Sequence, residues 1–282
     1  MSQHPIPQEL TENQRAKWAQ RLRMPNPDRS DVGQELPLTG QALNTKVQSG
    51  KEAASKVVAL VRALGQERLV VAVPVEAHPE SPDHAPVDLG GATPPPLNLV
   101  EGPVEGPVEG PRGANVAAFS SAAELASYDP SARPMTMSAQ QVAVIAGLSQ
   151  GSGGIVVNPG SERETIIPRS AALALAAADQ WLPPWEDRNL TEELLRNARA
   201  VCGDVVGVKI EPVAGDSQTW DGAIRVEVQV DMAPHSGHGG STSDPVGPRR
   251  LLAAALQTVT SNERLKESSS HIEVVPIPVY GV

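Results

Sequence analysis

Between Glu76 and Arg112 no helix and no fully paired strand can run unbroken. Pro79, Pro82, Pro86, Pro94, Pro95 and Pro96 are followed by the repeat Glu101-Gly-Pro-Val-Glu-Gly-Pro-Val-Glu-Gly-Pro111. Each proline fixes φ and removes an N–H, and a glycine before it adds backbone freedom, so the expected state is an extended, solvated loop. An apolar run, Arg68-Leu-Val-Val-Ala-Val-Pro-Val75, precedes this stretch and Asn115–Phe119 follows it. Both read as strands, the first central and ending at Pro74, with Leu97–Val100 a further short strand inside the proline region. Residues 76–112 thus read as an insertion within a domain, and a surface loop accounts for them more simply than a docking peptide.

Around the insertion, helix starts and strands alternate. Ser49 and Glu52 have capping-box spacing, and Val57, Leu60, Val61 and Leu64 then recur on one helical face before Gly65 closes the helix. Ser121 and Glu124 open a short helix that Pro130 ends, and Ser138 and Gln141 open another after the strand Pro134–Met137. Ile155–Val157 and Thr165–Ile167 pair around the turn Asn158-Pro-Gly160, and Pro168 starts an alanine-rich helix running to about Ala178. Pro183-Pro184-Trp185 marks a boundary. Beyond it come a helix capped by Asn189 and carrying Leu194, Leu195, Ala198 and Val201, then alternating strands at 206–211 and 224–231. Next come a helix after Asp244-Pro245 and a last strand, His271–Val279. Pro276 and Pro278 make that strand an edge. The expected fold is α+β or mixed α/β: two small domains, each a mixed or antiparallel sheet covered by helices. Residues 1–46 form an N-terminal arm, partly disordered, with a helix from Thr11 to Arg23 that has Trp18 and Leu22 to bury. Residues 47–182 form the first domain and 188–282 the second.

Composition excludes several functions. The formal net charge is −10 and the only adjacent basic pair is Arg249-Arg250, so the basic stripe that nucleic-acid binding needs is missing. No apolar run is long enough to span a membrane and the N-terminus lacks a signal-peptide pattern. With Cys202 the single cysteine, no internal disulfide can form, and a reducing cytoplasm is the expected location. Cys202 itself reads as a small buried filler.

No motif assembles a catalytic centre. Gly147-Leu-Ser149-Gln-Gly151 has the spacing of a hydrolase nucleophile elbow, but it follows a helix and precedes a strand, the reverse of what that motif requires. Gly151-Ser-Gly-Gly154 leads into a strand without a lysine, so it is a turn and no phosphate loop. His235 and His238 lie in a Gly/Ser loop without the further ligands of a zinc site, and His78 and His84 make a weaker case still. We therefore expect no catalytic residue, no metal and no cofactor. Arg133, Asn158 and Arg169 each adjoin a proline where an element begins or turns. They read first as structural punctuation and second as a polar patch for an anionic ligand, to which arginine's forked donors suit.

The pieces Arg68-Leu-Val-Val-Ala-Val-Pro-Val, Ala117-Ala-Phe-Ser-Ser-Ala-Ala-Glu-Leu, Ala132-Arg-Pro, Gly154-Ile-Val-Val-Asn-Pro-Gly and Ile167-Pro-Arg-Ser carry a resemblance in their order and spacing. The chain resembles the SseB family of enhanced serine sensitivity proteins, in an actinobacterial style. The likeness is close over Leu64–Ala178, and residues 189–282 are similar to the family's smaller C-terminal domain. The Glu-Gly-Pro-Val repeat departs from the family pattern. The resemblance implies a cytosolic α/β protein and supplies no catalytic residues. The expected role is a non-enzymatic protein-interaction or regulatory protein with an unidentified protein partner. The alternative is a small-molecule binder for an amino acid or related metabolite through Arg133, Asn158 and Arg169.

Overall fold

The computed structural model describes residues 30–73, 99–101, 114–149, 152–213, 219–232, 246–269 and 271–280. The expected helix at 11–23, most of the insertion, the His235 and His238 loop and the Asp244-Pro245 helix start lie outside these residues. The fold is α+β.

Strand β1 (Arg68–Val73) explains its unbroken apolar run by being buried on both faces. Leu69 and Val71 enter the main core, whereas Val70 and Ala72 join a smaller cluster with Ala117, Phe119 and Leu125. It pairs antiparallel with β4 (Arg133–Ser138), from Arg68 opposite Ser138 to Val73 opposite Arg133. A second sheet has the order β2 (Leu99–Glu101), β3 (Ala114–Ala118), β5 (Ile155–Val157) and β6 (Thr165–Ile167), with β3 and β5 parallel and the other pairs antiparallel. Reciprocal hydrogen bonds of 2.8 and 2.7 Å between Val70 and Phe119 stitch β1 to the end of β3. β1 therefore lies inside the combined sheet, as its composition requires.

Helices cover this layer. α1 (Pro37–Leu43) packs on α2 (Gly50–Leu64), whose buried stripe includes Val57, Leu60, Val61 and Leu64. α3 (Ala122–Tyr128) closes the small cluster, and α4 (Ala139–Leu148) packs on α5 (Arg169–Ala177). α1 was not foreseen; it lacks a side-chain N-cap of its own, and Glu67 instead accepts from the amides of Leu38 and Thr39 at 3.0 and 2.8 Å.

Three capping expectations change in detail. Ser138 and Gln141 form a complete reciprocal box. Ser49 and Ser121 do accept from the amides of Glu52 and Glu124, but the glutamates go elsewhere: Glu52 accepts from Gln48 and Glu124 pairs with Arg163. Gly65 sits at the C-cap of α2 with a right-handed φ of −62°, so the left-handed freedom of glycine is not used there.

The remaining elements are α6 (Arg188–Val201), β7 (Val205–Pro212), β8 (Ala223–Asp231), α7 (Val246–Thr260), α8 (Glu263–Ser268) and β9 (His271–Val279). Asp187 caps α6 by accepting from Leu190 at 3.0 Å; Asn189, the expected cap, lies inside the helix. α8 was not foreseen. β7 and β8 are antiparallel, β8 and β9 parallel, and β9 is an edge among the described residues. Ile224, Val226, Val228 and Val230 of β8 meet Leu190, Leu194 and Ala198 of α6 and Ala255 and Val259 of α7.

The main buried cluster runs without a break from Ala42 to Leu265. Its joint is aromatic: Trp220, in the β7–β8 connection, lies 5.1 Å from Trp185 at a near-perpendicular 82° and 6.3 Å from Trp181. Its indole N–H donates to the Ala223 carbonyl at 2.7 Å, so the buried ring leaves no polar atom unpaired. Trp220→Ala should cost about 3–5 kcal/mol, read as a lower urea midpoint. A loss below about 1 kcal/mol would show that the two halves do not depend on this contact.

Candidate functional site

The three residues expected to bind a ligand do not converge. Asn158 is buried and left-handed, with φ 53°, a conformation asparagine tolerates better than most residues. Its Oδ1 accepts from the Ser120 amide at 2.8 Å and its Nδ2 donates to the Ser120 hydroxyl at 3.1 Å, so both ends of the side chain are used. Arg169 heads α5 and folds across Gly153, whose φ of +77° and lack of Cβ make room for it. Gly153 precedes β5 and Asn158 follows it, an interval of roughly 16 Å at strand rise. Arg133 is exposed at the start of β4, with β1, β3 and β5 between it and β6. Ser149, the serine of the Gly147–Gly151 pattern, is the C-cap of α4 and its hydroxyl donates to Ala146 at 2.7 Å.

The densest polar network lies at the Asn158 end of the sheet and is centred on Arg163, in the β5–β6 connection. Its Nη1 donates to Glu35 at 2.9 and 3.1 Å and reaches the Asn44 side-chain oxygen at 3.4 Å; its Nη2 pairs with Glu124. The Ser120 hydroxyl, held by Asn158, donates to Glu35 at 2.7 Å. Beside it, Arg68 grips Asp31 with two bonds of 2.5 and 2.6 Å and donates to the Gln34 carbonyl at 2.6 Å. The segment 31–44 is thereby clamped to β1, α3 and the β5–β6 turn.

The electrostatics follow from these contacts. The hydrogen bonds from Arg68 hold the Asp31 carboxyl below its ordinary value against the opposing effect of burial. Burial pushes the Glu35 carboxyl up, but the bonds from Arg163 and Ser120 outweigh it and the net direction is down. The bond to Glu35 raises Arg163 further. Lys56, buried on α2, is pushed down by burial and by the neighbouring Arg163.

An open depression of about 440 Å³ borders the network, between Val32–Glu35 and the start of α3, with Ala122 and Ala123 in its wall. The charged groups on its rim, Glu35, Glu124 and Arg163, are engaged with one another, so it has the chemistry of a structural joint. Glu124 had been singled out in the sequence for a different role. Arg163, Glu35 and Asp31 had not, although an arginine heading the wholly apolar β1 was a sign that a buried carboxylate must meet it. Among the described residues no group of three or more acids, histidines and cysteines is placed to hold a metal ion, and no helix is long and apolar enough to cross a membrane.

These features define a mixed α+β domain whose sheet end is locked by ion pairs. Residues 41–172 match the family described as SseB protein N-terminal domain, so this segment of the chain is similar to that domain. Neither a curated protein nor a solved structure matches the chain.

Depressed carboxyl pKa values stabilise the fold above the unfolded values near 4, and that contribution is lost as pH falls through the lower folded values. The urea midpoint should therefore hold from neutral pH to about pH 5 and fall below about pH 4, more shallowly in Asp31→Asn. Arg163→Met should cost about 1–3 kcal/mol at pH 7, since it leaves Glu35 and Glu124 facing each other in a half-buried site. An unchanged midpoint in Arg163→Met would remove the network from the account of stability.

Proposed function

We propose that this chain is a non-enzymatic, cytoplasmic protein-interaction or regulatory protein, and that the partner is recognised by residues 188–282. We further propose that these residues are the family's C-terminal domain, of actinobacterial type, following the N-terminal domain at 47–182.

The carrying observation is the surface of β9. In a parallel pair, residues in register share a face, so Val275, Ile277 and Val279 stand beside Glu227, Gln229 and Asp231 on the side turned away from α6 and α7. On β8 and β7 that face is polar, with Arg225, Glu227, Lys209 and Glu211 partly paired among themselves and with Glu273. On β9 it becomes an apolar row. Tyr280, 76% exposed, and Met232, 53% exposed, adjoin its end through the Met232 amide on the Val279 carbonyl at 3.0 Å. A half-buried apolar row that ends in two exposed hydrophobic side chains and has a charged rim suits a protein interface. The competing reading, an amino-acid or metabolite binder using Arg133, Asn158 and Arg169, has no common cleft to support it among the described residues.

Tagged full-length protein should recover a stoichiometric partner from native lysate, and Ile277→Lys with Tyr280→Ser should abolish the recovery with Tm unchanged. Failure of the native chain to retain any partner, or retention by the double variant, would reject the proposal. A thermal shift with millimolar amino acids would instead favour the ligand reading.

A further inference from the structure

We infer that Pro276 and Pro278 close the outer edge of β9 to strand addition, and that the partner they exclude is a second copy of this chain.

In a parallel ladder, alternate residues direct both N–H and C=O to the same neighbour. The Val279 carbonyl accepts from Met232, which follows β8, so residue 279 faces β8. Pairing runs in unbroken register from Ala223 opposite His271 to Asp231 opposite Val279. Residues 271, 273, 275, 277 and 279 therefore face β8, and Ile272, Val274, Pro276 and Pro278 face outward. The prolines agree with this assignment: were they turned inward, the ladder to β8 would lose two donors in consecutive places.

The outer edge thus offers carbonyls at all four outward positions but N–H donors only at Ile272 and Val274. Its C-terminal half is an acceptor row. Both prolines are exposed there, so each ring stands where an added strand would have to lie. A second copy brings the same row, and two rows of acceptors cannot pair.

Without the prolines this edge would invite pairing. It is nine residues long, rich in Ile and Val, and carries one carboxylate, Glu273. Those are the properties of an edge that templates another chain. The opposite edge is blunted by other means: β7 has a register irregularity between Val205 and Gly207, carries Lys209, and ends at Pro212. The two edges of this sheet are closed by independent devices.

The test restores the donors. Pro276→Thr with Pro278→Thr supplies two outward N–H groups, keeps strand propensity and leaves the ladder to β8 untouched. Sedimentation velocity from micromolar to hundreds of micromolar should show the double variant associating at least roughly tenfold more tightly than the native chain, with the outward amides of residues 272, 274, 276 and 278 newly protected from hydrogen exchange. Adding Val274→Pro should remove that association again. The inference is overturned if the double variant sediments like the native chain, or if the native chain already dimerises with protection of the outward amides of Ile272 and Val274. A double variant that no longer folds also overturns it, because outward positions accept an N–H without cost to the ladder. None of these outcomes depends on whether a partner protein binds the apolar face.

Discussion

One guanidinium holds the first part of this chain together. Arg163 is shared by Glu35, which precedes α1, and Glu124, in the first turn of α3, and it touches Asn44 at the end of α1. These groups are far apart in sequence and meet only because the β5–β6 turn brings Arg163 to them. Arginine suits the place: its planar fork serves two carboxylates at once, where an ammonium would act as a single point charge. Two carboxylates against one arginine would leave a surplus negative charge in a half-buried site. The Ser120 hydroxyl, which donates to Glu35, helps to hold that charge, the kind of hydrogen-bonded compensation that makes such a network structural.

The same logic explains why β1 can be buried on both faces. A strand with apolar residues on both sides has no polar face to leave in water, so a charge at its head must be neutralised on the spot. Arg68 is neutralised by Asp31, and that pair anchors segment 31–35, which in turn brings Glu35 to Arg163. The chain before α1 is therefore part of the domain's electrostatics. On the other side of the core, Trp181, Trp185 and Trp220 perform the corresponding task with apolar surface, filling the joint between the two helix-and-sheet layers.

What the sequence made legible was periodicity and turn chemistry. Alternation in 224–231 named the buried face of β8, and Asn158-Pro-Gly160 located the β5–β6 turn because few residues accept the left-handed backbone that Asn158 adopts. The double prolines marked β9 as an edge. Long-range partners were not legible. Nothing local distinguishes a glutamate that closes a capping box from one that swings to a distant arginine, so Glu124 was given the nearer role. Asn189 and Asp187 are both competent caps two residues apart, and the choice fell to Asp187, which also pairs with Arg264 at 2.6 Å. α1 was hidden because its cap, Glu67, comes from the turn between α2 and β1. The polar patch expected at Arg133, Asn158 and Arg169 rested on local punctuation alone, and punctuation carries no information about which end of a sheet a residue will reach.

Binding surfaces and structural joints can be told apart by what their groups have left to give. At the Arg163 centre the charged and hydrogen-bonding side chains are taken by one another, and a ligand would have to displace an existing bond to gain a new one. Little net free energy is available from such an exchange. At β9 the position is reversed: Val275, Ile277, Val279, Tyr280 and Met232 have apolar surface still in water, and covering it is favourable without breaking anything. The prolines refine this further by leaving the edge unable to satisfy an incoming strand. A partner must therefore read the side chains of β9, because the acceptor row at its edge cannot pair with the same row of a second copy.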